Sequence, residues 1–191
     1  MVHRIEVGFR QGIRDVLGEK TRRKIVEHLG IDVSDVTTIE VYTLEGDLAP
    51  DDLTAAASGP LSDPIIQEYA IDRGLAAGFD WLIEVGFRPG VTDNVGKTAR
   101  EAVELLLNRH GAVQVYTSRQ YALKGNLGRN DAEHIASGLL ANELIQRYEI
   151  VSRDTWDPAR GVAPYIPRVI IDDDPTIEEI DLDVSDEELQ R

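Results

Sequence analysis

The sequence predicts an α+β fold made of two tandem β-α-β-α-β repeats packed on each other, with antiparallel sheets carrying helices on one face and an extended acidic C-terminal tail. Three observations lead there. A block of residues recurs at near-constant spacing, hydrophobic periodicity alternates between 2 and 3.6 in the same order in both copies, and composition changes after Val151.

The recurrence is plain. Ile5-Glu-Val-Gly-Phe-Arg10 returns as Ile83-Glu-Val-Gly-Phe-Arg88, and the spacing of 78 continues through Gly12/Gly90, Asp15/Asp93 and Gly18/Gly96, giving nine identities in fourteen positions. Val41-Tyr-Thr43 matches Val115-Tyr-Thr117 at a spacing of 74, which implies that the second copy lacks four residues ahead of this segment. At a spacing of 79 come Asp52/Asp131, Ala57-Ser-Gly59/Ala136-Ser-Gly138, Leu61/Leu140, Ile66-Gln67/Ile145-Gln146, Tyr69/Tyr148 and Ile71/Ile150. Ordered matches of this kind indicate a duplicated unit. The repeats occupy residues 5–71 and 83–150, so the chain divides into a first repeat at 1–72, a second at 79–151, and an extended Pro- and acid-rich linker or tail at 152–191.

Each element has a local cause. Ile83, Val85 and Phe87 alternate with polar or small residues, as in a strand with one buried face. Pro89-Gly90 and Thr-Asp-Asn94 then break the strand into a tight loop. Val95, Ala99, Ala102, Val103, Leu106 and Leu107 follow at helical spacing, and Leu17, Ile25, Val26 and Leu29 do the same in the first copy. Val113, Val115, Tyr121 and Leu123 line a long strand. Asn130 with Glu133 three residues on suggests a capping box for a second helix through Ile135, Leu139 and Leu140. In the first copy Pro50, Asp51 and Asp52 open the equivalent helix. A last strand holds Tyr148 and Ile150. Units of roughly 70 residues have marginal cores, so the two copies are expected to pack together as a dimer's subunits would, through sheet edges or sheet faces. Asp72-Arg-Gly-Leu-Ala-Ala-Gly78 is a short linker between them.

Of the 191 residues, 42% are apolar, enough for an ordinary core, and none is cysteine. Disulfides, zinc-thiolate sites and thiol catalysis are excluded, and a reducing cytoplasm is the expected location. No apolar run approaches a membrane span, and the N-terminus reads as a strand and not as a signal peptide. The net charge is −15, with ten acidic residues and a single Arg in residues 172–191. That balance argues against nucleic acid as a partner. Pro164, Pro167, Pro175 and the Asp172-Asp-Asp174 run favour an extended segment, and Ser185-Asp-Glu-Glu188 has capping-box spacing.

The segment closest to a catalytic motif is Gly90-Val-Thr-Asp-Asn-Val-Gly96-Lys97-Thr98. A phosphate-binding loop needs four residues between its glycines. Here there are five, as there are from Gly12 to Gly18, where Glu19 replaces the Lys. A strand-to-helix turn is the better reading, with glycines supplying unusual dihedrals and Asp93 capping nearby N–H groups. His3, His28, His110 and His134 lack ligand spacing. Ser58 and Ser137 lie in Ala-Ser-Gly helical stretches, outside any nucleophile elbow. Arg10 and Arg88 are candidates for holding an anion or, more simply, an adjacent acid. No self-sufficient catalytic, cofactor-binding or metal site emerges.

The loops Arg88-Pro-Gly-Val-Thr-Asp-Asn-Val-Gly96 and Arg10-Gln-Gly-Ile-Arg-Asp-Val-Leu-Gly18, with the endings Asn142-Glu-Leu-Ile-Gln-Arg-Tyr148 and Asp63-Pro-Ile-Ile-Gln-Glu-Tyr69, resemble the PurS family. PurS is the small component of phosphoribosylformylglycinamidine (FGAM) synthase. The resemblance implies a structural motif at Arg10, Gly12, Asp15, Gly18, Arg88, Gly90, Asp93 and Gly96, and a non-catalytic scaffold role in purine biosynthesis. It implies as partners a PurL-type catalytic module and a PurQ-type glutaminase, with ATP and Mg used by the complex and no cofactor bound by this chain. Further homo-oligomerisation is compatible with it. In the first copy Gln11 stands where the second has Pro89, and the fit is weaker. The alternative is an ACT-like tandem sensor, with a small molecule bound between the copies at the loop of residues 90–96.

Overall fold

Ile5 and Val7 are buried, and so are Arg4 and Glu6 between and beside them, so strand β1 (Val2–Phe9) is covered on both faces. The structure is a computed structural model and describes residues 1–169. After β1 come α1 (Val16–Lys24), β2 (Asp35–Gly46), α2 (Pro50–Ser58) and β3 (Gln67–Ile71). The second half repeats the order with β4 (Trp81–Phe87), α3 (Asn94–Leu107), β5 (Val113–Lys124), α4 (Arg129–Ile135) and β6 (Gln146–Ser152). Both α1 and α4 end in a π-helical turn, Ile25–Leu29 and Ala136–Leu140. Helix α4 begins ahead of the predicted Asn130: the Gly128 N–H donates to Asp131 at 2.8 Å, and Ala49 N–H donates to Asp52 in the same way at 2.9 Å. The acid at the third helical position is therefore Asp131, and not Glu133.

The fold is α+β, and the strands form one six-stranded antiparallel sheet, ordered β3-β1-β2-β5-β4-β6, so of the two expected ways of packing the halves join by their sheet edges. The halves meet along β2 and β5, paired from Asp35 with Lys124 to Gly46 with Val113. This register corrects one sequence match. Thr38 donates its N–H and hydroxyl to Asp15, and Thr117 donates its own to Asp93. The matching residues of β2 and β5 are thus 79 apart, and the second half is one residue longer before this strand. The Val41/Val115 match at 74 is coincidental. An odd shift of five turns a strand over, and Val41 packs on the opposite face of the sheet from Val115.

With that correspondence, Glu40 pairs with its own counterpart, Arg119. An approximate two-fold axis passes between them. Their ion pair, 2.6 Å long and half-exposed, is one that two identical copies would not form. Glu40→Arg is expected to lower stability by about 1 kcal/mol, and Arg119→Glu in the same chain to restore most of it; urea denaturation of the two single variants and the double measures the coupling.

The helices lie on one face and give two cores, each drawn from both halves. Ile5, Val7, Leu44, Leu53 and Ala57 pack with Ala99, Val103 and Val115 of the second half. Ile25, Val33 and Val36 pack with Ile83, Val85, Leu123, Ile135 and Ala136. Neither half encloses a core alone, which is how units of this size become stable. The other face is covered by the connection between halves, through Leu75, Ala76 and Phe79, and by Trp156 and Val162 beyond β6. Phe79 and Trp156 meet edge to face with ring centroids 5.4 Å apart. Residues 156–169 therefore begin the predicted linker as a strap laid on the sheet, and the Asp172–Asp174 run and Ser185–Glu188 capping box lie outside the described residues. Among the described residues no helix is long and apolar enough to cross a membrane.

Candidate functional site

The eight motif residues form two matching turns at opposite ends of the sheet. Gly12 and Gly90 have φ of 85° and 82°, a left-handed conformation that permits the sharp exit from β1 and β4. Asp15 and Asp93 cap α1 and α3 by accepting the N–H groups of Gly18 and Gly96, each at 2.7 Å. The same carboxylates accept from Thr38 and Thr117, tying each helix start to the neighbouring strand. Gly18 and Gly96 permit the approach. A Cβ on Gly96 would lie 2.6 Å from the Val115 carbonyl oxygen, and one on Gly18 would overlap that of Val36.

Arg10 and Arg88 donate to backbone carbonyls, Pro64 O at 3.2 Å and Gln146 O at 2.9 Å. Each staples its turn to the segment leading into the edge strand. The loop of residues 90–96 directs its Gly96 amide to Asp93. The histidines are not gathered into a site. His3 pairs with Asp72 at 2.8 Å, and among the described residues no cluster of three His, Asp or Glu side chains suits a metal. Ser58 and Ser137 hydroxyls bond back to Thr54 O and Glu133 O within their helices.

What sequence reasoning missed is a buried polar network on the strap-covered face. Glu6 and Glu84 are repeat counterparts, and both are buried. One Arg4 serves the two: its Nε donates to Glu6 at 2.9 Å, and its two terminal nitrogens reach both oxygens of Glu84. Gln120 Nε2 donates to each carboxylate, at 3.0 and 3.1 Å. Ser118 Oγ adds a bond to Glu84, and Leu75 N–H, from the connection, one to Glu6. Burial opposes ionisation of Glu84 most strongly, but the charge and hydrogen bonds of Arg4, with Ser118 and Gln120, outweigh it and hold the carboxyl below its usual range. With every Glu84 oxygen engaged, the arrangement suits anchoring and not proton transfer. Arg4 corresponds to Leu82 and Gln120 to Val41, so the partners of the repeated Glu differ between halves, and the repeat alone could not reveal them.

No family model and no curated protein matches this chain. Its surface is then the remaining guide. Ile65 and Leu144, 79 residues apart, are 82% and 87% exposed. Each is held at the tip of the same turn, with Ile65 N–H donating to Asp63 and Leu144 N–H to Asn142. A mostly apolar groove of about 530 Å³ lies between β1 and the start of α1, lined by first-half residues that include Val7, Phe9, Ile13, Val16, Leu17 and Ile66 with Lys20 at its edge.

Proposed function

We propose that this chain is a PurS-like, non-catalytic scaffold component of FGAM synthase, in which two repeats packed as a fused pseudo-dimer couple glutaminase-derived ammonia to the ATP-dependent amidation of formylglycinamide ribonucleotide. The observation that carries the reading is the use made of the repeated loops: their Asp, Gly and Arg residues are engaged in caps, close contacts and staples within the fold. Such loops hold a shape for others to bind. Ammonia released into neutral water becomes ammonium and loses its nucleophilic lone pair, so a complex of this type needs a component that holds its two enzymes against each other and keeps water out. ATP and Mg belong to the catalytic module. A cytoplasmic location fits this pathway and the absence of cysteine.

Support for two-fold docking comes from Ile65 and Leu144, equivalent exposed aliphatics on matching hydrogen-bonded turns, one per half. Ile65→Asp with Leu144→Asp is expected to leave thermal stability unchanged and to weaken co-elution with a PurL-type module and PurQ-type glutaminase at least tenfold. Unchanged co-elution removes these residues from the interface, and absence of any complex with the unaltered chain counts against the scaffold itself. The ACT-like sensor needs a ligand at the loop of residues 90–96, where the Gly96 amide is already taken by Asp93. A rise in melting temperature with any amino acid would revive it.

A further inference from the structure

We propose that the groove beside α1 is a docking site for the acidic segment of this same chain at residues 177–189. The inference is independent of the proposed function and rests on charge, hydrophobic pattern and reach. Within α1, Lys20, Arg22, Arg23 and Lys24 are all exposed, against the one acid Glu19, which is paired with Arg14. Their counterparts in α3 are Thr98, Arg100, Glu101 and Ala102, so this cationic helix face belongs to the first half alone. The groove adjoins it, with an apolar floor and Lys20 on the rim. Val16 and Ile13, at its mouth, are 62% and 40% exposed, an unpaired apolar surface on a chain of net charge −15.

The segment at 177–189, Ile-Glu-Glu-Ile-Asp-Leu-Asp-Val-Ser-Asp-Glu-Glu-Leu, has seven acids, five aliphatic residues and no base. Ile180, Leu182 and Val184 alternate with Asp181 and Asp183, a spacing that offers one apolar edge to a floor and acids to a cationic rim. Reach is sufficient. The strap ends beside the loop after β4, where Val169 lies against Gly90 and Arg168 pairs with Glu45. From Val169 to Leu182, the centre of the alternating stretch, thirteen extended residues span up to about 45 Å, against the roughly 40 Å of the longest strand. The docked segment covers the groove and competes there with any acidic, aliphatic partner peptide.

Because the chain has no cysteine, spin labels can be placed cleanly at Gln11→Cys, beside the groove, and Ser185→Cys in the full-length protein. Electron–electron distance measurement is expected to give one narrow short-distance peak at low salt. The peak is expected to broaden near 1 M salt, where the Debye length falls to about 3 Å, and to be lost in Lys20→Glu/Arg23→Glu. It should also be lost in Leu182→Ser/Val184→Ser, with the thermal stability of the protein unchanged. A broad distribution in the unaltered sequence, or a peak indifferent to both pairs of substitutions, overturns the proposal. So does a peak appearing only between two singly labelled chains when mixed, which would assign the groove to a second copy's tail.

Discussion

Replacing Arg4 with Leu, the residue that already stands at its counterpart position 82, is expected to destabilise the fold by about 3–5 kcal/mol, because it leaves Glu6 and Glu84 buried without their cation. In a chain of this size that is a fall in melting temperature on the order of 10 °C or more. The pH dependence should also change sign. In the unaltered protein the Glu84 pKa is depressed, so its contribution to stability is present above the ordinary carboxylate range and is lost as pH falls through the lower folded value. Without Arg4, burial dominates and raises the folded pKa. The contribution is then present in acid and lost as pH rises. Urea midpoints at pH 4 and pH 7 for both proteins decide this: the unaltered chain is expected to be more stable at pH 7 and Arg4→Leu relatively more stable at pH 4. Parallel pH profiles would show that Arg4 does not hold Glu84 ionised.

Gly18→Ala is expected to be nearly as damaging, at about 2–3 kcal/mol. The added methyl would overlap the Val36 carbonyl and crowd the Asp15 carboxylate. Relief requires α1 to lift from β2, which breaks the bonds from Asp15 to Thr38. Helix propensity alone would favour Ala by about 1 kcal/mol, so a loss of stability on thermal denaturation isolates the close approach. Gly30, also glycine but with nothing near its missing side chain, is the contrasting position: there the cost comes from its φ of 67°.

The α+β class, the order of strands and helices and the role of the motif turns were legible because each rests on local signals, namely periodicity, caps and glycine, stated twice in one chain. The sheet order was not, since nothing in either copy says that β2 will join β5 along twelve residues. The misplaced Val41/Val115 match has a definite cause: identical tripeptides outweighed strand parity, and only the contacts of Asp15 and Asp93 set the true register. By sequence, Glu6 and Glu84 fall on the alternate, polar side of a strand with one buried face. Their burial depends on the strap and on Arg4, Ser118 and Gln120, three residues that the repeat does not share in kind. The cationic face of α1 was hidden by the strongly negative total, which averages over elements that the fold keeps apart.

The central claim, that this chain is a coupling scaffold, is tested most directly by synthase rate. Purified catalytic module and glutaminase are assayed with glutamine and, separately, with ammonium, with and without this chain. The account predicts that only the glutamine-driven rate depends on the chain, because free ammonia needs no sheltered passage from one enzyme to the other. If neither rate responds and no complex forms, the scaffold reading is contradicted.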